Sequence, residues 1–151
     1  MSPPDDGRMA TDRNAPAMGH RGKPHKYSLE VKHLKVLVVE PEKRPHVKDI
    51  DGGLKSLQAE VGGLIQAVYP FDDPIAIICN DEGKLNGFPY NRALYSDDGT
   101  LYDVVAGTFL VVGLVDDDFG SLSDELVEKY RKHFFSPEFF LNIGGRLVVV
   151  K

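Results

Sequence analysis

Charged and amide side chains crowd between apolar runs in one stretch, Asn80-Asp81-Glu82-Gly83-Lys84-Leu85-Asn86-Gly87-Phe88-Pro89-Tyr90-Asn91-Arg92. Lys84 and Arg92 have the type and spacing to hold an anionic group, with Asn80 and Asn91 orienting it and Glu82 completing a polar floor. Asp103, just ahead of Val104-Val105-Ala106-Gly107, is the one carboxylate next to strand-like core sequence, and it joins the set as a ligand- or partner-binding candidate. The same residues also have a structural reading. Asn80 and Asp81 can bond local backbone, Gly83 and Gly87 can supply positive φ, Pro89 can stiffen the exit, and Asp103 can brace the loop. Convergence of Lys84, Asn91, Arg92 and Asp103 on one concave pocket is what the binding reading requires.

No other set of residues makes a catalytic, cofactor or metal site. Gly83-Lys84 lacks the upstream glycine and the following Ser/Thr of a phosphate loop, and Gly62-Gly63 follows a helix where a dinucleotide fingerprint would open one. The acidic pairs Asp72-Asp73 and Asp97-Asp98 and the triplet Asp116-Asp117-Asp118 fall in turns. The triplet misses the calcium-loop spacing, with Gly120 one place early and no terminal glutamate. No histidine pair or Cys/His set has metal-ligand spacing, and no serine sits in a nucleophile elbow. Cys79 is the only cysteine and lies in Ile75-Ala76-Ile77-Ile78-Cys79, which reads as a buried, inert thiol.

Several elements must position these residues. Lys35-Val36-Leu37-Val38-Val39-Glu40 is apolar on both faces and predicts a central strand, and His46 to Ile50 pairs back on it as a hairpin. Leu54, Leu57 and Val61 recur at helical spacing, with Asp51 as N-cap and Gly62-Gly63 as the stop. Leu64 to Tyr69 and Ile75 to Asn80 predict a second antiparallel hairpin. Asp81 to Thr100 reads as a long polar loop. Leu101 to Val105 fits either a short helix or a strand, and Gly107 to Leu114 is a further apolar strand. A helix follows, with Ser121 or Ser123 as its cap and Leu122, Leu126, Val127, Tyr130 and Phe134 on its buried face. Gly144-Gly145 turns into Arg146 to Val150, which can add an edge strand. The order β-β-α-β-β-loop-β-α, with that extra C-terminal strand, predicts an α+β fold: a mainly antiparallel sheet with the helices on one face.

At 151 residues the chain suits one domain. Residues 1–33 read as a flexible, mostly disordered extension, rich in Pro, Gly and charge and too poor in apolar surface to offset the entropy of ordering. Residues 34–136 read as the α+β domain and 137–151 as a tail. The extension holds six Lys/Arg against four Asp/Glu, whereas residues 34–151 hold twelve against nineteen. An acidic body repels a phosphate backbone, which argues against nucleic-acid binding by the folded part. The N-terminus shows no signal-peptide pattern, and the longest apolar stretch is broken by Gly107, Thr108 and Gly113. A soluble cytoplasmic protein is expected, without membrane association.

Four stretches together resemble a known family: Lys35 to Pro41, Leu57 to Gly63, Asn80 to Arg92, and Asp103-Val104-Val105-Ala106-Gly107-Thr108-Phe109. They are similar to the bacterial and phage family called domain of unknown function 3846, over roughly Leu34 to Phe134. The resemblance implies no established activity or cofactor. It implies an accessory role on phages and other mobile elements, in the host cytoplasm if phage-encoded. Two functions follow as expectations. One is a non-enzymatic interaction or regulatory protein with an unidentified protein partner. The other is a small anionic-ligand-binding domain or enzyme built on the Asn80–Arg92 loop.

Overall fold

The computed structural model describes residues 33–116 and 118–151. The extension predicted for residues 1–33 therefore lies outside the described residues, apart from His33, and so does Asp117.

Two hairpins and one inserted strand build the main sheet. β1 (His33–Val39) pairs antiparallel with β2 (His46–Asp51), and β3 (Ile65–Val68) with β4 (Ile75–Asn80). β7 (Phe109–Val115) enters between the hairpins, giving the order β2-β1-β7-β4-β3, and the short β8 (Asp118–Gly120) pairs with the end of β7. Every pairing is antiparallel. All six residues of β4 are buried, as its unbroken apolar run predicts for a strand covered on both sides.

Strand alternation divides the core into two halves. Val36, Val38, Ala76, Ile78, Leu110 and Val112 point to one face and pack with Leu57 and Val61 of α1 (Leu54–Val61). Leu37, Val39, Ile75, Ile77, Phe109 and Val111 point to the other and pack with Val127 and Tyr130 of α2 (Asp124–His133) and with Phe134 just after it. The helices thus cover opposite faces, which corrects the expectation of one shared face. The cause is in the strands themselves: apolar residues on both sides of β1, β4 and β7 need a cover on each side. The mainly antiparallel α+β class holds.

The stretch predicted as a loop contains a strand. β5 (Tyr90–Tyr95) pairs with β6 (Leu101–Ala106), and Leu94 and Val105 of this ribbon join the α2-side core. Its polar first half hides it from periodicity. A second ribbon, β9 (Phe139–Ile143) with β10 (Arg146–Val150), turns at Gly144-Gly145. The tail is thus a hairpin of its own, and β10 pairs with β9, not with the main sheet.

The caps correct two further details. Asp51 ends β2, and the N-cap of α1 is Gly53, which makes no side-chain bond. At the other end Gly62 has φ 81° and its N–H donates to the Gln58 carbonyl, so the predicted glycine stop holds. For α2, Ser123 is the N-cap and its hydroxyl accepts from Leu126 N–H at 3.2 Å. The competing Ser121 accepts instead from Lys35 N–H at 2.8 Å, tying the approach to α2 onto β1.

Candidate functional site

The six polar residues singled out in the sequence do not form one pocket. Three of them are buried and tie backbone segments together. Asn80, at the end of β4, donates to the Val61 carbonyl at 3.1 Å and accepts from Glu82 N–H at 2.7 Å, so it joins the exit of α1 to the start of the turn. Asn91 has no exposed surface and donates to the carbonyls of Val39 and Gly107, both at 2.9 Å. One amide group thereby pins the end of β1 and the β6–β7 turn to β5.

Arg92 is the largest of the fully buried side chains. Its guanidinium donates to the Phe134 carbonyl from Nε at 3.3 Å and from Nη2 at 2.9 Å, and to the Lys43 carbonyl at 2.7 Å. Nη1 donates to the side-chain oxygen of Asn91 at 2.8 Å and to its backbone carbonyl at 3.3 Å. The planar fork reaches the β1–β2 turn and the end of α2 at once, which an ammonium on a single stem cannot do. Burial pulls the Arg92 pKa below its usual value, and the nearby Glu138 carboxylate opposes that shift. Glu138 is itself buried and accepts from Ala93 N–H at 3.0 Å.

The other three lie at the surface. Lys84 donates to Asp103 at 2.6 Å, with side chains 50% and 44% exposed, and the same Asp103 oxygen accepts from Val104 N–H at 2.8 Å. Glu82 is exposed. Lys84 and Asp103 satisfy each other on the surface while Asn91 and Arg92 are enclosed, so the convergence required by an anion pocket is not seen.

The turn acids carry contacts within the fold. Asp73 accepts from Lys129 Nζ at 2.6 Å and from Tyr130 Oη at 2.7 Å, which in that order hold its carboxyl below the ordinary range. Asp97 accepts from Asp72 N–H at 2.7 Å and Asp98 from Thr100 N–H at 2.9 Å. Cys79 is buried, and desolvation pushes its thiol up to about 12. Among the described residues no group of His, Cys, Asp and Glu could hold a metal ion. Nor is any helix there long and apolar enough to cross a membrane.

What the buried ties present to solvent is a shallow groove of about 320 Å³. Pro41 comes from the end of β1, Ala59 to Gly62 from the last turn of α1, Phe88 and Pro89 from the approach to β5, and Gly107 and Thr108 from the β6–β7 turn. Phe88 seats its ring where three glycines leave room. A Cβ on Gly107 would lie 2.7 Å from the ring's Cδ2, and Gly62 and Gly83 face the same ring. Gly83 is further excluded from carrying a side chain by the Ala106 carbonyl at 2.6 Å. A second shallow groove, about 300 Å³, shares Ala59 and Glu60 with the first and runs past Lys48, Asp51 and Ser56. Lys48 donates to Glu60 at 2.8 Å between the two.

None of the groove residues was among the six. The signal that could have found them was present, because each lies inside one of the four family-like stretches. Apart from Glu60, whose carboxylate pairs with Lys48, and the Thr108 hydroxyl, they are apolar, small or glycine, and a search for titratable clusters passes over them.

No curated protein and no solved structure matches the chain. A family model does, and it spans both core halves and every wall of the groove while stopping short of the β9–β10 hairpin. The chain belongs to the family described as a domain of unknown function (DUF3846), matched over residues 34–135.

Proposed function

We propose that this chain is a non-enzymatic interaction or regulatory protein, an accessory of a phage or other mobile element acting in the cytoplasm. It takes a protein partner at the groove between the end of α1 and the Phe88 turn. The observation that carries this reading is the makeup of the groove: all of its walls come from the four separated stretches that carry the family resemblance. An apolar floor of Val61 and Phe88 with two prolines at the sides suits a single apolar side chain of a partner. The Thr108 hydroxyl and Glu60 add polar points to orient it.

The geometry favours this over an anionic-ligand site at the loop. Of the two cations offered for that role, Arg92 is enclosed by carbonyl partners and Lys84 is paired with Asp103. The side chains best suited to chemistry are spent on holding the frame.

The test is affinity capture of the full chain from a lysate of its own cellular source, comparing four forms. Ala59 is exposed on α1 and lines both grooves, so Ala59→Arg obstructs this surface of α1 without touching the core, and Thr108→Arg, at a residue of the Phe88 groove alone, tells the two apart. The expected result is a protein captured in stoichiometric amount by the wild type and by Lys84→Ala, and lost from Ala59→Arg and Thr108→Arg. Capture lost from Ala59→Arg alone would move the site to the second groove. Capture that survives both arginine variants and fails with Lys84→Ala would return the site to the loop.

A further inference from the structure

The C-terminal ribbon carries an apolar face that no described residue covers. Its register pairs Phe139 with Val150, Leu141 with Val148 and Ile143 with Arg146. Directly paired residues share a face, so five large apolar side chains and one arginine stand on one side of the ribbon. Their exposures are 51% for Phe139, 50% for Leu141, 58% for Ile143, 38% for Val148 and 41% for Val150. The opposite face holds Phe140, Asn142, Leu147 and Val149; its Phe140–Val149 end rests on the body, while Leu147 near the turn is 40% exposed. The Phe140 ring lies 5.5 Å from that of Tyr90, and Lys151 Nζ sits 5.7 Å over the Tyr95 ring. The ribbon is therefore pinned at one end of this face, and no described residue covers the other face.

We infer that this bare face is a self-association surface, and that two copies of the chain meet there by stacking their β9–β10 ribbons about a two-fold axis through the Leu141–Val148 pair. Three observations point to a second copy as the occupant. The first is area. At roughly 150–200 Å² for a large apolar residue, the five exposures leave about 400 Å² in one patch, within the range of surface patches that are often functional. Stacking two such faces removes roughly 800 Å² from water, short of the ~1,200–2,000 Å² of standard stable interfaces. A weak, concentration-dependent dimer is the state this area supports.

The second is charge. Residues 34–136 carry ten Lys/Arg against eighteen Asp/Glu, whereas residues 137–151 carry Arg146 and Lys151 against Glu138. Two acidic bodies repel each other over most of their surfaces, and the ribbon is where they can approach without that opposition. The third is symmetry. Leu141–Val148 is the central pair of the five in the register, so a two-fold axis there sets each ribbon's turn over the open end of the other. Arg146 of one copy then lies over Val150 of its partner, away from the partner's own Arg146, so the one charge on each patch does not meet its copy. The ribbon lies beyond the family match, which ends at residue 135, so this surface is separate from the groove and does not depend on the reading given to it.

The experiment is sedimentation equilibrium of the full chain from about 5 to about 500 µM, bracketing a dissociation constant on the order of tens of micromolar. The mass of the wild type should rise from 16.7 kDa toward twice that value. Leu141→Lys and Leu141→Glu should each stay monomeric, because the axis places position 141 against its own copy. An equimolar mixture of the two should associate again. Val47→Lys, at an equally exposed apolar residue on β2, should behave as the wild type. Far-UV circular dichroism checks that each variant is folded, and Ile143→Lys replaces any that is not. A wild type that stays monomeric throughout, association retained in both single variants, or equal loss in Val47→Lys would overturn the inference. A mixture no more associated than its components would overturn the two-fold arrangement.

Discussion

Replacing Arg92 by alanine separates a structural guanidinium from a ligand-binding one. The substitution removes five hydrogen bonds and strands the carbonyls of Phe134 and Lys43 and the side-chain oxygen of Asn91. A buried acceptor left unpaired costs about 1–3 kcal/mol, and the vacated volume adds a cavity. Relief of the guanidinium's desolvation and water entering a polar hole offset part of this. The net loss should be about 3–5 kcal/mol, the range for breaking a buried charged network by removing one member. That is a large share of the ~5–15 kcal/mol that holds a typical domain together. For an ordered body of this size it lowers the thermal midpoint by on the order of 10–20 °C. Arg92→Lys should fall in between, since one ammonium cannot reach both carbonyls. Lys84→Ala loses only an exposed ion pair and should cost under about 1 kcal/mol. Thermal melts and urea titrations of the three variants measure this, with an unchanged m-value confirming that stability alone has moved. Arg92→Ala melting within about 3 °C of the wild type would refute the tie, as would Lys84→Ala costing as much.

Other outcomes follow from the same structure. Gly62→Val should destabilise by about 1–2 kcal/mol through the left-handed penalty, and Gly107→Val by more, because its Cβ would also meet the Phe88 ring at 2.7 Å; urea midpoints in the order wild type, Gly62→Val, Gly107→Val check this. Cys79 should resist a thiol reagent at neutral pH in the folded state and react on unfolding, since burial pushes it up to about 12; rapid native labelling would contradict the burial. His133 is held below its ordinary pKa by desolvation and by Lys151 and Lys129, against the pull of Glu138 and Asp97. The unfolded chain therefore takes up that proton first as pH falls through about 6.5, and stability drops below that pH until the folded imidazole also protonates. The thermal midpoint of His133→Gln should change less than that of the wild type between about pH 7.5 and about pH 5.5; equal slopes would remove His133 as the cause.

Local sequence settles the elements whose signals are local. The two-sided apolar runs at β1, β4 and β7, the stripe and glycine stop of α1, and the capped amphipathic α2 each follow from residues a few positions apart. β5 was not legible, because the first two of its four buried positions are Asn91 and Arg92. A polar residue inside a strand looks like loop until its partners are known, and these partners are far away in the chain. Arg92 bonds a carbonyl 49 residues before it and another 42 residues after it, and Asn91 bonds one 52 residues before it. The candidate groove was half legible: its residues sit in the stretches that carry the family resemblance, but most are small or apolar and Glu60 and Thr108 alone announce no chemistry. Composition and periodicity determined the α+β class, the acidic body, and strands that must be covered on both sides. The tertiary structure alone decided that β7 enters between the hairpins and that the helices take opposite faces. It also set the loop's amides and guanidinium on carbonyls of distant segments, tying those segments together. In each case the deciding interaction joins segments distant in sequence, and what a buried polar group does depends on which carbonyls the fold brings within about 3 Å of it.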